Sequence, residues 1–291
     1  MRLEGSFLRG AEVVQLASGM AFTEGPIWLE AEQSLLFTDI PRNRVHRWNS
    51  QDGLTVWNDH AHFAIGLAVD LAGRVIACEH TTRRLTRREL DGSSLTLASS
   101  HGRHALNSTN DVCVRRSDGA VFFTDPPFGV RLDEDGTLVG YQVGMEYGAC
   151  GVFKVTDDPA QPRLVTDAIH RPNGLCFSLD ERRLYVSDSS ELHHRVHAIE
   201  LHEDDTVKSD RIFAVIDAGV PDGMRVDSEN RLYVAAFDGV HVFAPSGELI
   251  GKIPVPEMVT NLCFGGPNLS TLFITASSGL YATELSVKGV A

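Results

Sequence analysis

The pattern along this chain is one of short apolar runs broken by compact polar turns. "EGPIWLEAEQSLLFTD", from Glu24, places an apolar stretch, a polar centre and a second apolar stretch one after another. The same order returns in "IGLAVDLAGRVIACE" from Ile65, "NDVCVRRSDGAVFFTD" from Asn110 and "NGLCFSLDERRLYVSD" from Asn173. It returns again in "DGMRVDSENRLYVAA" from Asp222 and "TNLCFGGPNLSTLFITA" from Thr260. Asp, Gly, Ser and Asn fill the polar centres, and β-branched and aromatic residues fill the second runs, so each copy predicts a β-hairpin. The copies start at pitches of 41, 45, 63, 49 and 38 residues, the length of a four-stranded propeller blade.

Further alternating segments follow several hairpins, as in "RNRVHRWNS", "RRLTRREL", "CGVFKVT", "HRVHAIELH" and "GVHVFAPSG". No segment carries a sustained helical period. The expectation is an all-β chain, residues 1–291 forming a single six-bladed β-propeller with four-stranded antiparallel blades. The last copy ends near "GLYATELS", one strand short, and the early segment "AEVVQLAS" reads as the strand that closes the last blade. Radial repetition leaves only short sheet edges exposed. A β-sandwich also has evenly spaced strands, but six copies in phase favour the propeller.

In a propeller the innermost strands line a central channel, so equivalent positions sit at one height around one axis. The first residues of the six copies are Glu24, Ile65, Asn110, Asn173, Asp222 and Thr260. Two carboxylates in a desolvated channel repel unless a proton or a cation intervenes. Two carboxylates and two amides, with no Cys or His, suit Ca2+, Mg2+ or Mn2+ better than a structural zinc. The competing reading is that these side chains cap the inner strands through local hydrogen bonds. The loops after the second strands surround the same mouth: Glu79 to Arg84, Asp125 to Gly129, and Asp188 to Ser190. The longest pitch adds "VRLDEDGTLVGYQVGMEYGAC", either a lid or an acidic surface loop.

Composition narrows the class without naming a substrate. A hydrophobic share of 43% with 22% charged residues is that of a globular chain with a real core. A net charge of −13 argues against nucleic acid or an anionic membrane as partner. The first twenty residues lack the apolar core of a signal peptide, and no run is long enough to span a bilayer. Five cysteines without a C-x-x-C pair suit reduced thiols and a cytoplasmic protein. Cys113, Cys176 and Cys263 share one equivalent strand position and read as small core fillers.

"TEGPIW", "LNSTNDV", "FTDPPFG", "RPNGLCFSLD" and "PDGMRVD", in this order, resemble the SMP-30/gluconolactonase/luciferin-regenerating family, above all its bacterial gluconolactonases. The likeness runs from about residue 20 to 285. It implies that Glu24, Asn173 and Asp222 are metal ligands, that Asp222 is also the general acid/base, and that Asn110 contacts metal or substrate. It implies a lactonase using one divalent cation, Ca2+ foremost, with Mg2+, Mn2+ or Zn2+ as alternatives. Thr109 stands where gluconolactonases usually have Pro, and Ser108 where animal members carry a substrate-binding Arg.

The expected activity is hydrolysis of a sugar lactone to its aldonic acid, with Lewis-acid activation of the carbonyl and water attack assisted by Asp222. Because a ligated carboxylate is a weak base, water activated on the metal is the alternative. Asn110 also serves as a substrate contact, and His80 and Arg84 are candidate partners for sugar hydroxyls. Two further readings compete: an organophosphate or aryl-ester hydrolase on the same ion, and a non-enzymatic propeller with a structural ion. The expected partner is a small lactone, the assembly a monomer or weak homo-oligomer.

Overall fold

The computed structural model describes residues 12–133, 135–140 and 144–290. Among them the only helical element is a single 3-10 turn, Ile40–Arg42. The strands form six four-stranded antiparallel sheets and two small two-stranded hairpins. The first blade is Thr23–Leu29, Ser34–Asp39, Arg44–Asn49 and Gly53–Asn58. The second begins with Ala64–Val69 and the third with Val112–Val114; the fourth, fifth and sixth begin with Pro172–Phe177, Met224–Val226 and Val259–Gly265. Each of these innermost strands packs beside the next, and the sixth returns to the first, which makes the ring.

The predicted closure is observed. Val14–Ala17 pairs antiparallel with Gly279–Glu284 and supplies the outer strand of the sixth blade, with Val14 opposite Ala282. The first described strand is thus fastened to the last.

Six apolar clusters fill the six clefts between neighbouring blades. Phe122 and Phe123 show how one strand serves two of them: Phe122 packs towards the fourth blade and Phe123 towards the second. A second strand buried on both faces reads as an unbroken apolar run, which is why "VFFTD" and "LLFTD" lack strict alternation. Cys113, Cys176 and Cys263 face Phe122, Tyr185 and Phe273 across their hairpins, so their equivalence holds.

The long insertion contains a small hairpin, Arg131–Leu132 with Leu138–Val139. Glu146 then reaches Arg83 at 2.6 Å, and the Tyr147 hydroxyl donates to Asp125 at 2.6 Å.

Candidate active site

A bulge opens every inner strand. Asn110 and Asp111 together oppose Thr124: the Asn110 N–H donates to the Thr124 carbonyl at 2.9 Å, and the Thr124 N–H donates to the Asp111 carbonyl at 3.0 Å. Asp222 and Gly223 oppose Ala235 in the same way, at 3.0 and 2.9 Å. In the first, second, fourth and sixth blades the ladder shifts at the equivalent place. Two residues against one break the alternation of sides and re-aim the first side chain, a device common beside functional sites.

Among the described residues hydrogen bonds to backbone carbonyls join neighbouring bulges at every junction but that of the fourth and fifth blades, where the Asn173 side chain bonds Asp222. Gly66 N–H donates to Asn110 O at 2.8 Å, and Gly223 N–H to Thr260 O at 2.9 Å. The hydroxyls of Thr38, Thr124 and Thr260 donate to the carbonyls of Ile65, Asn173 and Thr23 at 3.0, 2.8 and 2.7 Å. In four blades close approach demands glycine after the first position. A Cβ on Gly174 would lie 2.3 Å from Asp222 O, and one on Gly25, at φ +53°, 2.1 Å from Ile65 O.

Within the rim the acidic groups act on one another. Glu24 is 3% exposed; its Oε2 accepts from Gly25 N–H at 2.7 Å and from Asn261 Nδ2 at 2.9 Å. Burial, and then the neighbouring Asp111, raises its pKa from 4.5 to about 7. Asp222 is pushed well above the usual carboxylate range by burial, then by Glu24 and Asp111, against hydrogen bonds from the Asn173 side chain and Gly223 N–H. Asn110 is buried, and its side-chain amide has no hydrogen-bond partner among the described residues. The structure therefore brings Glu24, Asn173 and Asp222 together, with Asn110 in the same rim.

Asp111 and Asn261 escape the sequence reading. They occupy the second bulge position, which in the other four blades is Gly25, Gly66, Gly174 and Gly223. Asp111 Oδ1 accepts from Val112 N–H at 2.8 Å, while its buried Oδ2 has no partner among the described residues. Four glycines alternating with two polar residues was the signal available.

Repelling, burial-strained carboxylates beside amide oxygens and an orphaned carboxylate oxygen are what a hard divalent cation would neutralise. The residues present fit such an ion, and Glu24, Asn110, Asn173 and Asp222 could hold it. A second acidic group, Asp217, Asp238 and His241, is already closed by Lys252, which donates to the two carboxylates at 2.6 and 2.9 Å.

Among the described residues no contact joins the side chain of His80 or Arg84 to Glu24, Asn110, Asn173 or Asp222. Burial lowers the His80 pKa to about 4, so the ring is neutral; Nδ1 accepts from Val130 N–H at 3.4 Å, and Nε2 has no partner among the described residues. Arg84 Nη2 lies 3.4 Å from Glu79 Oε2. Ser108 donates to Pro126 O at 2.7 Å, and Thr109 to Arg84 O at 2.8 Å, a side-chain tether where proline would give rigidity.

Carboxylates ending the second strands hold the rim from outside. Asp125 accepts from the N–H groups of Asn107 and Ser108 at 2.7 and 2.9 Å, the residues just before Asn110. Asp39 likewise accepts from Ala21 and Phe22 at 3.1 and 3.2 Å, ahead of Glu24, and Asp188 from Arg171 at 3.0 Å, ahead of Asn173.

Known proteins share this architecture. A gluconolactonase from Zymomonas mobilis is 30% identical over 94% of this chain and 81% of its own length. A pentonolactonase from Haloferax volcanii is 27% identical over 88% of this chain and 81% of its own. The solved structure of a gluconolactonase from Xanthomonas campestris superposes with a TM-score of 0.87 at 34% identity, covering 96% of this chain and 91% of that one. Residues 22–278 match the SMP-30/Gluconolactonase/LRE-like region, and the chain belongs to that family.

Proposed function

We propose that this protein is a cation-dependent lactonase that opens a sugar lactone to its aldonic acid. The observation that carries the reading is the meeting of Glu24 and Asp222, both shifted up by burial and by acidic neighbours, beside Asn173 in a rim that also holds Asn110. The names of the gluconolactonase and pentonolactonase relatives support the substrate class.

In this reading Glu24, Asn110, Asn173 and Asp222 hold one divalent cation, Ca2+ ahead of Mg2+, Mn2+ or Zn2+, because all four offer hard oxygen donors. When bound, the cation polarises the lactone carbonyl and orients the ring. Asp222 takes the proton of the attacking water as its oxygen bonds to the carbonyl carbon. It returns that proton to the ring oxygen as the carbon–oxygen bond breaks. The Asn110 amide donates to the oxyanion formed between these steps. Nε2 of His80 and the guanidinium of Arg84 are the candidate contacts to sugar hydroxyls. Five unpaired thiols are consistent with a reducing, cytoplasmic setting.

The test is acid release from glucono-1,5-lactone by chelator-treated protein, with and without added Ca2+, Mn2+ or Zn2+. Cation-dependent turnover is expected; none with any of these ions and any sugar lactone removes the reading. Asp222→Asn should lower turnover by about a hundredfold or more with the circular dichroism spectrum unchanged. Undiminished turnover would take the base role from Asp222.

A further inference from the structure

The inner strands run from the acidic rim to the opposite end of the ring, where they open into a funnel of about 850 Å3. That is within the range of sites for small organic ligands. Its wall includes Cys113, Cys176, Cys263, Phe177 and Phe264. Arg225 stands at the position the three cysteines occupy in other blades, facing Tyr233 as they face Phe122, Tyr185 and Phe273. A guanidinium thus replaces a thiol in one blade of six.

Arg225 has no carboxylate within ion-pair distance among the described residues, although the charges of Glu24 and Asp111 act on it from the rim side. Among the described residues its side chain makes a single hydrogen bond, from Nη1 to the adjacent Met224 carbonyl at 2.7 Å, and no ion pair. Apart from Glu30, the other charged groups of the funnel are paired at its edge. Asp70 is bonded by Arg74 at 2.8 Å, Glu181 by Arg116 at 3.2 Å, and Glu32 lies 3.9 Å from Arg47. A planar cation that makes no ion pair, above an apolar wall, can take a carboxylate in a forked pair.

We propose that this funnel is a second binding site, for an organic monocarboxylate whose head pairs with Arg225 and whose apolar body lies against the thiol and phenyl wall. The charge of the ligand follows from what lies behind Arg225. Its single fork matches one carboxylate, and the acidic rim behind it, Glu24 and Asp111, opposes a second negative charge. A dianion such as phosphate is disfavoured. The site is separate from the rim and does not depend on the activity assigned there.

The probe is 4-bromobenzoate, titrated calorimetrically into the full-length protein, with inorganic phosphate as the contrasting anion. Binding of the benzoate and none of phosphate is expected. Arg225→Met keeps the apolar stem and removes the charge, and should weaken binding by about thirtyfold or more; Arg225→Lys should retain part of it. Unchanged affinity in Arg225→Met, equal binding of phosphate, or no benzoate binding overturns the proposal. Crystals of the unaltered protein soaked with the bromo acid decide the matter without any variant. The anomalous bromine signal belongs in the funnel beside Arg225, and a signal at the Glu24 and Asp222 rim is the result that ends it.

Discussion

Glu24 shows how a single side chain ties stability to chemistry. A carboxyl whose folded pKa is about 7, against an ordinary 4.5, binds more protons in the folded state than in the unfolded one. Its contribution in the cation-free protein is therefore lost as pH rises from about 4.5 through about 7. Chelated protein should melt at progressively lower temperature across that window, and saturating Ca2+ should flatten the decline by holding the charged form. Glu24→Gln removes the charge, so the chelated variant should melt higher than the parent at pH 8 while the Ca2+-induced shift disappears. A Ca2+ shift of parental size in the variant would show that Glu24 is no ligand. At this scale the sequence was readable wherever the repeat fixed a position, as it did for Glu24, Asn110, Asn173 and Asp222. Asp111 and Asn261 were hidden because the bulge suspends alternation, and strict alternation assigns their position to the blade interior.

Among the elements, the inner strands were legible through their turns, and the means of holding them in place was not. "SDG" and "LDERR" announce hairpins locally. The grip of Asp39, Asp125 and Asp188 on the segments before Glu24, Asn110 and Asn173 spans residues that only the folded hairpin brings together. Nothing in the periodicity distinguishes such an Asp from a solvent-facing strand end. Asp125 takes two backbone N–H groups and the Tyr147 hydroxyl while fully buried. Asp125→Ala leaves these donors unpaired and should destabilise the protein by about 3 kcal/mol, read from chemical denaturation. Because the released segment leads directly into Asn110, lactone turnover should fall as well. A denaturation midpoint like that of the parent would mean that the donors find water, and that Asp125 does not position the rim.

For the molecule as a whole, the question is what keeps a ring of six blades shut. The clefts are apolar on every side, so each blade depends on two neighbours, and the cleft between the sixth and the first is the only one the chain must close across its own ends. Val14–Ala17 does this: Gln15 faces Tyr281 in the ladder and donates to its hydroxyl at 3.0 Å, while Leu16 and Ala17 pack against the cluster containing Phe37 and Phe273. Removing the strand forfeits a short ladder and part of a leucine, about 3 kcal/mol, and exposes Gly279–Glu284 as an unpaired edge. Deleting residues 1–18 should therefore lower the melting temperature by several degrees and shift the protein towards larger species in light scattering. If the deletion variant melts like the parent and stays the same size, the outer strand is dispensable and the ring is held by the clefts alone.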